Sequence, residues 1–174
     1  MTGCPSGESL DRLSDEPDMP DLADFRRAAA LLTHRASAST NDAIAGVRAI
    51  LQEAADCGRL TRLARAVDTA YLIWIAQLRN DKSRRLVIEL IDEMARNHPD
   101  PYTRRAANVI QAMRDRDRLR FTALLNEVNA DEQGLRLIGS ISDIYAHALP
   151  ELATPTSRTT LQSWTAELAR HESS

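Results

Sequence analysis

Aromatic residues make up only 4% of the 174-residue chain, too few for a platform on which single-stranded nucleic acid could stack. Glycine is scarce as well, at six residues, in a chain rich in Ala, Leu and Arg. Ala has the best helix propensity, and Leu and Arg lose little rotamer freedom in a helix, so this balance favours helices over strands. No run alternates with a period of two, which leaves no segment that reads as a strand. The longest strongly apolar stretch, Ala70 to Ala76, is far too short to span a bilayer. The opening Met1-Thr2-Gly3-Cys4-Pro5 lacks a basic segment followed by an apolar run. A cytoplasmic protein without a membrane partner is therefore expected. The two cysteines, Cys4 and Cys57, are expected as free thiols in a reducing compartment, with a regulatory disulfide between them as the alternative. Lysine is almost absent, with Lys82 alone against 21 arginines. That bias fits a GC-rich bacterial coding sequence and concerns origin, not mechanism.

Charge is present in abundance and unevenly placed. The net value is −3, yet residues 1–24 hold seven acids and one base, Arg12. Residues 59–120 hold 14 bases and 8 acids, and residues 121–174 hold 3 bases and 7 acids. The chain reads as an acidic tail, a basic middle and an acidic end.

Residues 1–20 carry three prolines and scattered acids with no apolar period, and are expected to form a disordered acidic tail. Residues 21–171 are expected as a single helical domain of about eight amphipathic helices. The first runs from about Asp21 to Ala36, and Ser37 to Thr40 break it. Asn41 caps a second helix, which Gly58 closes at its C′ position. The third, about 59–79, is apolar all round at Tyr71-Leu72-Ile73-Trp74-Ile75-Ala76 and should be central, covered on every side. Asp81 or Ser83 caps the fourth, which ends near Asn97 before Pro99 and Pro101. Pro101 opens the fifth, a break at Arg114 to Asp117 leads to the sixth, and Asp131 caps the seventh. Pro150 stops that helix, and Thr154-Pro155 opens the last.

Three segments resemble one another: Val47 to Ala54, Val87 to Met94 and Phe121 to Val128. Their starts lie 40 and 34 residues apart, periods that belong to stacked helical hairpins. Over residues 87–150 the 34-residue spacing resembles that of tetratricopeptide repeats. Those repeats need small residues where paired helices approach closely. Here the positions hold Ile91 and Leu125 on the first helices and Thr103 and Leu137 on the second. The expected fold class is therefore all-α, an irregular multi-helix bundle, with stacked helical hairpins as the alternative, and no family is assigned.

Two turns stand out for charge. Arg79, Lys82, Arg84 and Arg85 occupy the first, and Arg114, Arg116, Arg118 and Arg120 the second, with Asp81, Asp115 and Asp117 among them. Antiparallel helices would bring both turns to one edge. Arg84, Arg85, Arg118 and Arg120 fall in or near first helical turns, where the macrodipole disfavours cations. A phosphate or carboxylate partner would relieve that conflict, and so would pairing with the neighbouring aspartates. The acidic tail is long enough to fold over this edge and compete with an outside anion; a solubilising tail is the alternative.

Catalytic signals are weak. Asp143 and His147 are four apart, but a zinc site needs three or four ligands, so an ion pair is expected. Glu89, Asp92 and Glu93 have no second acidic pair and read as a solvent face. Leu63 to Leu72 echoes a helix-turn-helix, but its would-be recognition helix continues into Ile73-Trp74-Ile75, which belongs in a core. No catalytic residue, metal or cofactor is expected. The leading expectation is a non-enzymatic interaction or regulatory module whose partner is another protein or a second copy of itself. The alternatives are nucleic-acid binding through the arginine-rich edge, and a small-molecule sensor or enzyme with an apolar pocket beside Tyr71 and Trp74.

Overall fold

The computed structural model describes residues 19–37, 41–130 and 134–174. Among them lie eight α-helices and no strand: α1 (Leu22–Ala36), α2 (Asn41–Asp56), α3 (Leu60–Leu78), α4 (Asp81–Asn97), α5 (Pro101–Arg114), α6 (Arg118–Ala130), α7 (Gly134–Ala148) and α8 (Pro155–Glu172). A single 3-10 turn, Pro150–Ala153, joins the last two. The expectations for residues 1–18 and for Asp131 lie outside the described residues.

Local chemistry sets the helix ends. Asp21 and Asp24 exchange side-chain-to-backbone hydrogen bonds of 3.1 Å at the start of α1, satisfying two N–H groups that have no partner inside the helix. Asn80, not Asp81 or Ser83, caps α4, its side chain accepting from the Ser83 amide. This corrects the expected cap by one residue and leaves Asp81 in the first turn, where its charge favours the helix dipole. Pro101 and Pro155 sit in first turns behind the caps Asp100 and Thr154. Gly58 ends α2 at φ 65°, a left-handed conformation that glycine adopts without steric cost. Cys57, just before it, is disulfide-bonded. The expectation of free thiols is thereby corrected; Cys4 lies outside the described residues.

Helices α1, α3 and α7 meet at the centre, and Leu31, Leu63, Val67, Ile138, Ile141 and Tyr145 are buried there. Helix α8 packs along α1, so the last helix closes on the first. An open stack of hairpins would keep those two apart, and the bundle is irregular. Helices α4 and α5 form an antiparallel pair, with Asn108 bonded to the Ala95 carbonyl and Gln111 to Asp92.

One feature of the core differs from expectation. Tyr71, Trp74 and Ile75 are buried, but Leu72 is 45% exposed and Ile73 40% exposed. After the short Arg79-Asn80 link, α4 turns away from α3 and packs on α5. Among the described residues, no helix packs closely over that face of α3.

Candidate functional site

The divergence of α3 and α4 opens a cleft with two parts. The inner chamber, about 170 Å³, is walled by Leu72, Ile75, Val87, Ile88, Ile91 and Ile110, with Asp68 and Tyr145 at its base and Arg84 and Arg114 at its margin. Past Leu72 it continues into a wider part of about 710 Å³, lined by Phe25, Met113, Phe121, Arg65, Arg116, Arg118 and Asp117, with Met19 and Pro20 on its wall. Five arginines thus face two aspartates along the cleft.

Asp68 is 5% exposed. The Tyr145 hydroxyl donates to its Oδ1 at 2.5 Å, joining α3 to α7, and the Tyr145 ring stacks on Tyr71 with centroids 4.6 Å apart. Burial raises the Asp68 pKa to about 6, against the hydrogen bond from Tyr145, which favours the ionised form. Losing water disfavours the charged carboxylate more than one donor restores it. Burial also carries the Tyr145 phenol well above its ordinary value, and the Asp68 charge adds to that, so at neutral pH it stays a hydrogen-bond donor.

The arginines are placed for identifiable reasons. Arg84 donates to the Arg79 and Ala76 carbonyls at 3.0 and 2.7 Å. A cation poorly suited to the start of α4 thereby serves the unpaired carbonyls that end α3. Arg114 donates to Asp92 at 2.9 Å and Asp115 at 3.1 Å. Arg65 lies over the Phe121 ring, 4.6 Å from its centroid, within cation–π range. Arg116 adopts φ 55°, the one non-glycine residue with positive φ among those described. Its amide bonds to the Met113 carbonyl while Asp117 reaches Ala112. This is the same helix-ending pattern that Gly58 and Arg59 make with Ala55 and Ala54, built with arginine where glycine is favoured.

Of the eight basic residues singled out by sequence, Arg84, Arg114, Arg116 and Arg118 line the cleft. Arg79 turns elsewhere, to Glu151 at 2.6 Å and the Ala148 carbonyl. Arg120 donates to Asn108 and Gln111 of α5. Lys82 and Arg85 are exposed. Asp143 pairs with Arg35 of α1 instead of His147. In the acidic cluster, Glu93 pairs with Arg96 and Asn97. Burial works to raise the Asp92 pKa, but the hydrogen bonds from Gln111 and Arg114 outweigh it and lower the value. Among the described residues no group of three His, Cys, Asp or Glu is placed to hold a metal ion, and no helix is long and apolar enough to cross a membrane.

Sequence reasoning missed Asp68, Tyr145, Arg65 and Leu72. A signal was present for the first: Asp68 falls between Ala64 and Tyr71 on the apolar face of α3, a costly place for a carboxylate without a purpose. Compared with known protein families, curated proteins and solved structures, the chain matches none.

Proposed function

We propose that the protein is a helical interaction module that docks an acidic segment of a partner protein, bearing apolar anchors, in the cleft between α3 and the α4–α5 pair. The observation that carries this reading is Leu72, left 45% exposed at the junction of both parts of the cleft and bordered by more arginines than acids. Apolar anchors would fill the inner chamber in the manner of a helix laid in a groove. Carboxylates beside them would meet Arg65 and Arg116, which set orientation and salt dependence more than affinity. The engagement of Arg79 and Arg120 with protein groups removes part of the edge on which a nucleic-acid reading rests.

Two short helix-forming peptides with the same leucine stripe, one flanked by glutamates and one by lysines, test the proposal by fluorescence anisotropy. The glutamate peptide should bind, weaken as salt rises, and lose about tenfold or more in affinity against Leu72→Glu. Equal binding of the lysine peptide, or an unchanged affinity in Leu72→Glu, would overturn it.

A further inference from the structure

We infer that the inner chamber takes a tyrosine side chain of the docked partner segment, with its ring against the aliphatic walls and its hydroxyl donating to Asp68. This deepens the docking reading above and rests on it. Three observations converge on a phenol. The first is an acceptor short of donors. Asp68 is 5% exposed and lines both parts of the cleft. Among the described residues Tyr145 alone donates to its carboxylate, and it does so at Oδ1, which leaves Oδ2 without a donor. Burial carries the Asp68 pKa up to about 6, so at neutral pH most of the group is a carboxylate, which accepts hydrogen bonds and donates none. A ligand that brings a donor to Oδ2 gains a charge-assisted hydrogen bond, roughly twice as strong as a neutral one.

The second observation is size. The chamber holds about 170 Å³ between Ile75, Ile88, Ile91 and Ile110, with Leu72 and Val87 completing its walls. An apolar cavity of about 150 Å³ takes up benzene, so this one accommodates a single aromatic ring and is small for an indole. An anchor without a polar tip would fill the space, but it would shut water away from Oδ2 and supply no donor in exchange, which is costly. The third is the charge around that donor. Arg65 stands three positions before Asp68 on α3, and Arg84 and Arg114 lie at the chamber margin. An ammonium tip would have to pass those guanidinium groups, and a carboxylate tip would meet Asp68 as a like charge. A phenol hydroxyl donates while carrying no charge and satisfies both constraints.

Three glutamate-flanked peptides test this. They differ only at the central residue of the apolar stripe, which is leucine, phenylalanine or tyrosine, and fluorescence anisotropy gives their affinities for the full chain. Wild type should bind the tyrosine peptide about tenfold or more tighter than the phenylalanine peptide. Asp68→Asn keeps an acceptor for Tyr145 and replaces the ionised oxygen with a neutral amide. It should reduce that preference to about twofold or less, with the phenylalanine peptide bound at least as well as by wild type. Equal binding of the tyrosine and phenylalanine peptides to wild type, with both weakened by Leu72→Glu, would overturn the phenol site and leave the docking cleft intact. A tyrosine preference unchanged in Asp68→Asn would put the hydroxyl on another acceptor and overturn the inference as well. No binding by any of the three, or binding insensitive to Leu72→Glu, would overturn the docking reading and the phenol site with it.

Discussion

Arginines gather at two places in this bundle, and their company differs. At the start of α1, Arg59 donates to Asp21 and Asp24 at 2.5 and 2.7 Å, Arg27 to Glu53 at 2.7 Å, and Arg26 to Glu172 of α8. Asp24 is fully buried and Arg27 is 3% exposed, which is sustainable only because each charge has a partner from its own chain. For Arg59 these partners hold the proton more firmly than water would: the Asp24 hydrogen bond raises its pKa, and burial only partly offsets that. Along the cleft the balance is different. Arg114 is satisfied by Asp92 and Asp115, Arg65 leans on an aromatic ring, and Arg116, in a left-handed turn, lines the same wall as the half-exposed Leu72. The first cluster fastens helices together. The second lines a cleft and holds no pair of helices together through buried charge.

The comparison breaks most visibly at Asp24. Asp24→Ala removes the shared carboxylate of Arg27 and Arg59 along with half the capping box. It should cost about 3 to 5 kcal/mol in urea unfolding, as removal of one partner from a buried ion pair does. Arg116→Ala, in the second cluster, should change stability by no more than about 0.5 kcal/mol. Comparable losses at both sites would mean that the cleft arginines also hold the fold together.

Asp68 sharpens the contrast through pH. Its carboxyl titrates near 6 in the fold against 3.8 for an ordinary aspartate. The associated stability is fully present only below about pH 4, and is lost as pH rises through about 6. At neutral pH the ionised group costs roughly 3 kcal/mol. Asp68→Asn keeps an acceptor for Tyr145 and removes that charge. It should be more stable than wild type by a margin that grows from near zero around pH 4 towards roughly 3 kcal/mol above about pH 7, read from denaturation midpoints across the pH series. A margin independent of pH would contradict the raised pKa.

The smallest effect is expected at Arg116. Arg116→Gly relieves a left-handed conformation that costs a residue with a Cβ about 1 kcal/mol, so the variant should melt a few degrees higher. Its affinity for the glutamate-flanked peptide should nevertheless fall. A gain in stability without a loss of binding would leave the strained arginine without a role at the cleft.

Most of the fold was legible because helix ends are local chemistry. Pro101, Pro155 and Gly58 announce themselves in the sequence, and the three-or-four spacing of apolar residues marks each buried face. The site was legible only in part. Periodicity shows that Tyr71 to Ala76 is apolar on all sides, but not which neighbour fails to arrive. Only the turn of α4 towards α5 decides that Leu72 stays uncovered while Ile75 is buried. Likewise Arg79 and Arg84 stand five residues apart in one charged turn, yet one reaches back to Glu151 and the other caps α3 at the cleft margin. Side-chain direction across a turn is a property of packing, not of spacing. Close approach is equally hidden: Gly46 lies where an added Cβ would fall 2.4 Å from the His34 ring, and nothing in the sequence marks that contact between α1 and α2.

The central claim is that the open face of α3 receives an acidic, apolar-bearing chain. The most direct measurement places a photoreactive leucine analogue in the stripe of the glutamate-flanked peptide and maps its attachment to the full chain by peptide mass spectrometry. The expected result is attachment to the segments carrying Leu72, Ile88 and Met113, reduced by unlabelled peptide and by Leu72→Glu. Attachment concentrated on α8 or on the outer face of α2, unaffected by Leu72→Glu, would contradict the claim.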